Sequence, residues 1–419
     1  MKNIIKNKLS ANIFSLVTLK GADYILNFVM LPFLMRMLGA EKYGAIIFMQ
    51  SIVQYMVICV DYGYNLTAPR DIARASNKKE IAEIFSNVMA AKILIMIATI
   101  IFSMLLIIFL WRANFLQEFD IKLFFATIPM ILGNILFPVW FFQGIQEMKY
   151  ITLSSVISRL IILILMLLTI KNAGDYIFAA LLQSSMMLVS GILSMIIIFR
   201  RYKYIIVMPE MKKVRENLKE GWEIFISTVA INAYTTTNIV ILGVMTNDLA
   251  VGFFSAANKI IDSIKGLQGA ISQAVYPHIS EKIKESKKIA LVFIKKFAKI
   301  YISLFIIISM TLMIFAEPIT KILFGTVFDE TVHILMIIAW LPAIISVSNI
   351  CGIQIMLNFG LQKEFSRVLI LAAVIDLIIV IPLTQNYGNL GISWTMIIVE
   401  IIVSFVMAYK IRKIIRQKI

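Results

Sequence analysis

Apolar residues occur along this chain in long unbroken runs and not in alternation. Stretches of Leu, Ile, Met, Phe and Val recur from the first tens of residues almost to the end, each of about 20 residues, the length needed to cross a hydrocarbon core. Lipid admits only structures that satisfy their backbone polar groups internally, and runs without a two-residue period indicate helices and not a barrel. The pattern predicts twelve helices near 12–35, 43–65, 86–110, 121–142, 151–170, 176–199, 222–246, 250–276, 297–315, 332–357, 365–384 and 388–409. The fold class expected is an all-α polytopic membrane protein.

The longest basic connection, Arg200–Gly221, follows the sixth helix and is expected to include a short surface helix. Six helices on each side of it suggest a duplication, and three landmarks repeat in order. Gly44 in EKYGAIIF answers to Gly252 in LAVGFFSA. Gly144-Ile145-Gln146 answers to Gly360-Leu361-Gln362, and Asn172-Ala173-Gly174 to Asn386-Tyr387-Gly388. An even number of helices per half makes the repeats parallel, which in transporters places the substrate between the halves. The expected organisation is 12 transmembrane helices in two parallel-repeat six-helix lobes around a central cavity. The lobes are an N-lobe at 1–199 and a C-lobe at 222–419, joined by a cytoplasmic loop at 200–221.

Composition agrees with this class: of 419 residues 60% are apolar and 15% charged, against about 25% charged in soluble domains. The net charge of +16 invites a nucleic-acid reading, which the positions of the charges remove. Connections on one side of the predicted helices hold 27 Lys and Arg, and those on the other hold 5. By the positive-inside rule both termini are then expected in the cytoplasm. Lys2, Lys6 and Lys8 resemble the start of a signal peptide. The apolar stretch that follows runs on past Lys20 and Asp23 without a small-residue cleavage site, so a retained first helix is expected.

Ionisable groups within membrane helices are costly and are functional candidates by default. Here they are Lys20, Asp23, Asp61, Lys92, Arg159, Lys259, Asp262, Lys265, Asp376 and Glu400. Lys122, Lys299 and Arg367 lie near helix ends, where long side chains reach the headgroups. Lys20, Asp23 and Asn27 share one face of the first helix, and Lys259, Asp262 and Lys265 form a stripe on the eighth. Lys20–Asp23 and Lys259–Asp262 can be self-neutralised pairs that join helices. Alternatively the basic groups line a wet cavity and bind an anion. Arg159 and Lys265, with no acid left over in their own stripes, favour the second reading, since both cation types suit phosphate oxygens. Asn232, Thr235, Thr236, Thr237 and Asn238 on the seventh helix can bridge helices or meet sugar hydroxyls. Asp23, Asp61, Asp262, Asp376 and Glu400 are the acids available for coupling to a proton or sodium gradient. Nothing in the sequence selects among them.

Pro32, Pro129, Pro138, Pro342 and Pro382 fall inside predicted helices and permit kinks. Cys59 and Cys351 are read as buried thiols, and no spacing suits a metal. His278 and His333 fall on opposite sides of the membrane. No nucleotide-binding loop, nucleophile elbow or paired-carboxylate motif appears, so no enzyme activity, cofactor or metal is expected.

Four segments carry a family likeness: PFLMRMLGAEKYG (Pro32–Gly44), DYGYNLTAPRDIA (Asp61–Ala73), WFFQGIQEMKY (Trp140–Tyr150), and GFFSAANKI with AISQAVYPHIS (Gly252–Ile260, Ala270–Ser280). They resemble the O-antigen flippases (Wzx-type) of the polysaccharide transporter family, within the multidrug/oligosaccharidyl-lipid/polysaccharide exporter superfamily. The resemblance implies two six-helix lobes around a cationic cavity. It also implies transport of undecaprenyl-pyrophosphate-linked oligosaccharide to the periplasmic leaflet by alternating access coupled to an ion gradient. Its implied partners are the lipid-linked substrate, membrane lipids, a glycan polymerase and a chain-length regulator. Relatives place basic residues for the pyrophosphate on the first, second and eighth helices. Lys20, Lys259 and Lys265 match, the second helix has no interior base, and Arg159 becomes the candidate for the missing charge. The expected substrate set is therefore Lys20, Arg159, Lys259, Lys265 and Asn238. Two alternatives stay open: a drug or cation exporter of the same superfamily, and a membrane glycan polymerase, against which the short outer connections argue.

Overall fold

The computed structural model describes the backbone of residues 2–112, 118–202, 206–325 and 329–418. The side chains of 2–25 and of some later positions, including Asn27, Asn232, Thr235 and Thr236, lie outside the described residues. The described chain is 91% helix and contains no strand.

The helices are α1 (Lys2–Asp61), α2 (Tyr64–Arg74), α3 (Lys78–Arg112), α4 (Glu118–Thr127), α5 (Pro129–Leu136), α6 (Val139–Gly144), α7 (Lys149–Thr169) and α8 (Tyr176–Arg201). They continue as α9 (Met211–Met245), α10 (Asp248–Glu285), α11 (Lys287–Ile314), α12 (Ala316–Phe324), α13 (Asp329–Ile338), α14 (Leu341–Asn349), a π-helical stretch Ile350–Leu357 and α15 (Gln362–Lys418). Among the described residues 8 stretches are long and apolar enough to cross a membrane, which makes this a multi-pass membrane protein. Two of them contain a glycine break: α1 at Gly39 (φ 77°) and α15 at Gly388 (φ 55°). The expected short loops at 36–42 and 385–387 are therefore single-residue reversals of helical geometry.

Other boundaries differ for local reasons. Helix α3 starts at Lys78 and not 86 because Asn77 caps it, its Oδ1 accepting from the Glu80 amide at 2.9 Å, while Glu80 accepts from the Ser76 amide at 2.7 Å. The surface helix expected after residue 200 is continuous with the next span as α9. The predicted helix 121–142 is three pieces, broken ahead of Pro129 and at Pro138, because proline has no amide to donate. The expected outer connection after α11 contains a further helix, α12, braced by Glu317 and Lys321 at 2.5 Å.

The chain groups into two compact units: Met1–Met30 with Ile46–Asn232, and Leu31–Ala45 with Ala233–Ile419. In the first unit the apolar core gathers Tyr64, Ala68 and Ile72 of α2, Phe85 and Val88 of α3, and Trp140, Phe141 and Phe142 of α6. The segment after α8 is strapped to α3. Val207 and Glu210 donate their amides to Ser86 Oγ and Asn87 Oδ1, each at 2.9 Å, and Lys213 pairs with Glu83 at 2.9 Å. Hydrogen bonds to Glu83 and Glu210 hold the Lys213 ammonium above the usual lysine range. Tyr62 donates to the Leu218 carbonyl at 2.9 Å and stacks on Phe225, with Gly221 leaving room for its ring.

In the second unit the break at Gly39 delivers the Ala40–Gly44 turn of α1 onto α10. A Cβ on Gly44 would fall 1.7 Å from the Asp248 carbonyl oxygen, and one on Gly252 would fall 2.0 Å from that of Ala40. Each glycine thus faces the carbonyl four residues before the other, a reciprocal crossing of the small-residue type. Arg36 fixes the approach by donating to the Ile322 and Leu323 carbonyls at the end of α12. Around Pro342 side chains from other helices complete the backbone. Gln268 donates to the Pro342 carbonyl at 2.7 Å, the Ala343 amide donates to Ser309 Oγ at 3.1 Å, and Gln354 donates to the Ser272 carbonyl at 3.0 Å.

Gln146 (φ 57°) and Gly360 (φ 77°) both end a helix in left-handed geometry. The amide that follows each bonds back five residues, Glu147 to Phe142 and Leu361 to Met356, both at 2.8 Å.

Glycine substitutions test the crossing. Gly44→Leu or Gly252→Leu should destabilise by about 1–3 kcal/mol or more, the scale of overpacking. Gly269→Ala on α10, where a Cβ meets nothing within 4 Å, should be neutral or stabilise by up to about 1 kcal/mol. Thermal unfolding of the purified variants in detergent checks both.

Candidate functional site

Arg159 stands on α7 in the first unit, half-buried, and donates to Ser155 Oγ one turn earlier at 2.7 Å. Buried Ser154, Ser155 and Ser158 make this the polar face of an otherwise apolar helix.

The stripe on α10 belongs to the second unit. Asp262 pairs with Lys265 at 3.4 Å and accepts from Asn258 at 3.1 Å. The sequence assigned Asp262 to Lys259 and left Lys265 over, whereas the structure pairs Lys265. Lys259 is half-buried and forms no ion pair among the described residues. An acid placed before its base is the better helical order, which favours Asp262–Lys265 over Lys259–Asp262. The Lys265 and Asp262 side chains are 28% and 48% exposed, so the pair holds the helix only weakly and both groups remain accessible.

Asn238 at the end of α9 meets Asp376 in α15, donating to Oδ1 at 3.3 Å. Both residues are buried, 6% and 1% exposed. Among the described residues no donor reaches Asn238 Oδ1 or Asp376 Oδ2. Two buried acceptors in adjoining residues lack a donor, an arrangement that a proton on Asp376 or a small cation would complete. Glu400, half-buried on the same helix, lies within electrostatic range of Asp376.

Asp61 ends α1 and accepts from Lys92 Nζ at 3.0 Å and from Asn65. Lys92 is 1% exposed and Asp61 19%. Lys92 also donates to the Asn134 carbonyl at 3.3 Å. The sequence marked both charges as costly but did not join them. Among the expected coupling acids, Asp61 is thus already matched to a buried base, while Asp376 meets an amide and no base among the described residues. Lys20 and Asp23 lie outside the described residues, as do the side chains of Asn232, Thr235 and Thr236. No group of three His, Cys, Asp or Glu suited to a metal occurs among the described residues.

The WFFQGIQEMKY segment forms α6 and the turn into α7. Beneath it Arg201 donates to the Tyr150 hydroxyl at 2.5 Å and lies 3.8 Å from Glu147, while Lys149 sits over the Tyr150 ring. Gly144 is held so close to α2 that a Cβ would be 2.7 Å from the Ile72 side chain.

The chain is 35% identical over 413 residues to a protein of Escherichia coli strain K12 assigned as an O-antigen transporter, covering 98% of each. In fold it is similar to a lipid II flippase in an inward closed conformation, with a TM-score of 0.75, 17% identity, and 96% of this chain and 87% of that one covered. It is also similar to an inward-facing multidrug transporter, with a TM-score of 0.71, 14% identity and coverage of 94% and 96%. At these identities the two structures establish a shared fold alone. Residues 9–283 match the family model described as polysaccharide biosynthesis protein. Together with the full-length kinship to a transporter, this match sets aside the polymerase alternative. The chain belongs to the polysaccharide biosynthesis protein family.

Proposed function

We propose that this protein is a flippase for undecaprenyl-pyrophosphate-linked oligosaccharide, an O-antigen or related repeat unit. It moves the substrate from the cytoplasmic to the periplasmic leaflet of the bacterial inner membrane by ion-coupled alternating access. The observation that carries this reading is end-to-end kinship with an O-antigen transporter in a chain whose membrane helices hold a surplus of base. Dividing the two glycine-broken stretches and adding α9 and α10 to the eight yields the twelve crossings that the hydropathy suggests. Twelve crossings with basic connections on one side support cytoplasmic termini. The proposed organisation retains two six-helix lobes, 1–199 and 222–419, around a cavity, with 200–221 between them.

In this reading Lys259, Lys265, Arg159 and Lys20 attract the diphosphate, and Asn238 and the threonines of α9 offer hydrogen bonds to sugar. Lys259 leads the set because no acid competes for it among the described residues. Asp262 competes with the phosphate for Lys265, so that pair would open as substrate arrives. Asp376 is the favoured coupling acid because it and Asn238 leave oxygens unsatisfied. A proton or sodium ion there would complete the site. A polymerase and a chain-length regulator would receive the product on the outer side.

Two experiments test this. Lys259→Ala/Lys265→Ala should melt within about 1 kcal/mol of the parent, since exposed pairs contribute little, yet leave lipid-linked oligosaccharide in the inner leaflet of a depleted strain. Normal outer-leaflet delivery by that variant would remove the cationic site. In proteoliposomes an imposed proton or sodium gradient should speed wild-type flipping by about tenfold, within the usual range of coupling. Asp376→Asn should run at one slow rate with or without the gradient, and a retained response would exclude Asp376.

A further inference from the structure

Two of the motifs singled out in sequence meet at one buried lysine. DYGYN contains the joint between α1 and α2, where Tyr62 (φ 46°) and Gly63 (φ 79°) both take left-handed geometry. The segment leading into WFFQG contains the joint between α5 and α6, broken at Phe137–Pro138. Pro138 has no amide, so the carbonyl four residues earlier, that of Asn134, loses its helical donor. Lys92 supplies the replacement, donating to the Asn134 carbonyl at 3.3 Å and, with the same Nζ, to Asp61 at 3.0 Å. One ammonium on α3 therefore closes the breaks on both sides.

Beyond the breaks, α2 and α6 pack directly on each other, with Ile72 against Gly144 and both helices in one apolar cluster. Apolar packing inside a bilayer can be exchanged for lipid with little change in solvation, so polar contacts weigh heavily in holding such a piece. We propose that α2 and α6 form a single element hinged at Tyr62–Gly63 and Phe137–Pro138, and that Lys92 is the positioning residue that pins both hinges to α3. Its use in transport rests on the flippase reading. The hinge itself can be measured without substrate.

The reporter is Ala68→Cys, a 1% exposed position on α2, in a Cys59→Ala/Cys351→Ala background, labelled by a membrane-impermeant maleimide. Asp61→Asn/Lys92→Met removes both charges together, so no unpaired buried ion remains to unfold the protein. The expected result is labelling about tenfold faster than the parent, equivalent to roughly 1.4 kcal/mol of lost restraint, with export reduced. Parental labelling and normal export would overturn the proposal, because a merely structural pair is replaceable by neutral groups. Should the double variant not accumulate, Pro138→Ala decides. It returns a helical amide to the Asn134 carbonyl and should stiffen the α5–α6 joint, with slower labelling and weaker export, whereas unchanged labelling and export would refute the hinge. Faster labelling with normal export would keep the hinge and count against the flippase cycle that uses it.

Discussion

Every structural feature of this protein answers to one constraint: inside a hydrocarbon layer a backbone amide or carbonyl without a partner costs several kcal/mol. The helices meet that demand internally, and at the Pro138 and Pro342 breaks side chains from other helices take over. Lys92 repairs the carbonyl orphaned by Pro138. Gln268 reaches the Pro342 carbonyl, and Ser309 takes the Ala343 amide. The Gln268 carbonyl in turn accepts from Tyr301 at 3.1 Å. Breaks and buried polar side chains are two aspects of one design.

The same logic sorts the intramembrane charges. Those that repair or neutralise, such as Lys92 with Asp61, are enclosed. Lys259 and Lys265 are half-exposed, and the one ion pair Lys265 makes among the described residues, with Asp262, is open to solvent. Asp376 stands apart because it is enclosed without being satisfied. Burial combined with completeness of hydrogen bonding therefore separates scaffold from candidate site better than charge alone.

Hydropathy made the helical class readable from the chain, because a run of 20 apolar residues has few other solutions. The glycine breaks at 39 and 388 fell where loops were expected, but their tightness depends on positive φ, which no hydropathy window reports. The Asp61–Lys92 pair was invisible because its members are separated by a whole joint of the chain. The partner of Asp262 was ambiguous because Lys259 and Lys265 are equally spaced from it, and only the directional preference of helical ion pairs could have chosen.

The crossing of Gly44 and Gly252 has a bearing on how the sequence can change. Each glycine rests on the carbonyl that precedes the other by one turn. That reciprocity ties the two positions together in divergence: a larger residue at either one is tolerated only if the backbone opposite retreats, so neither position can drift alone.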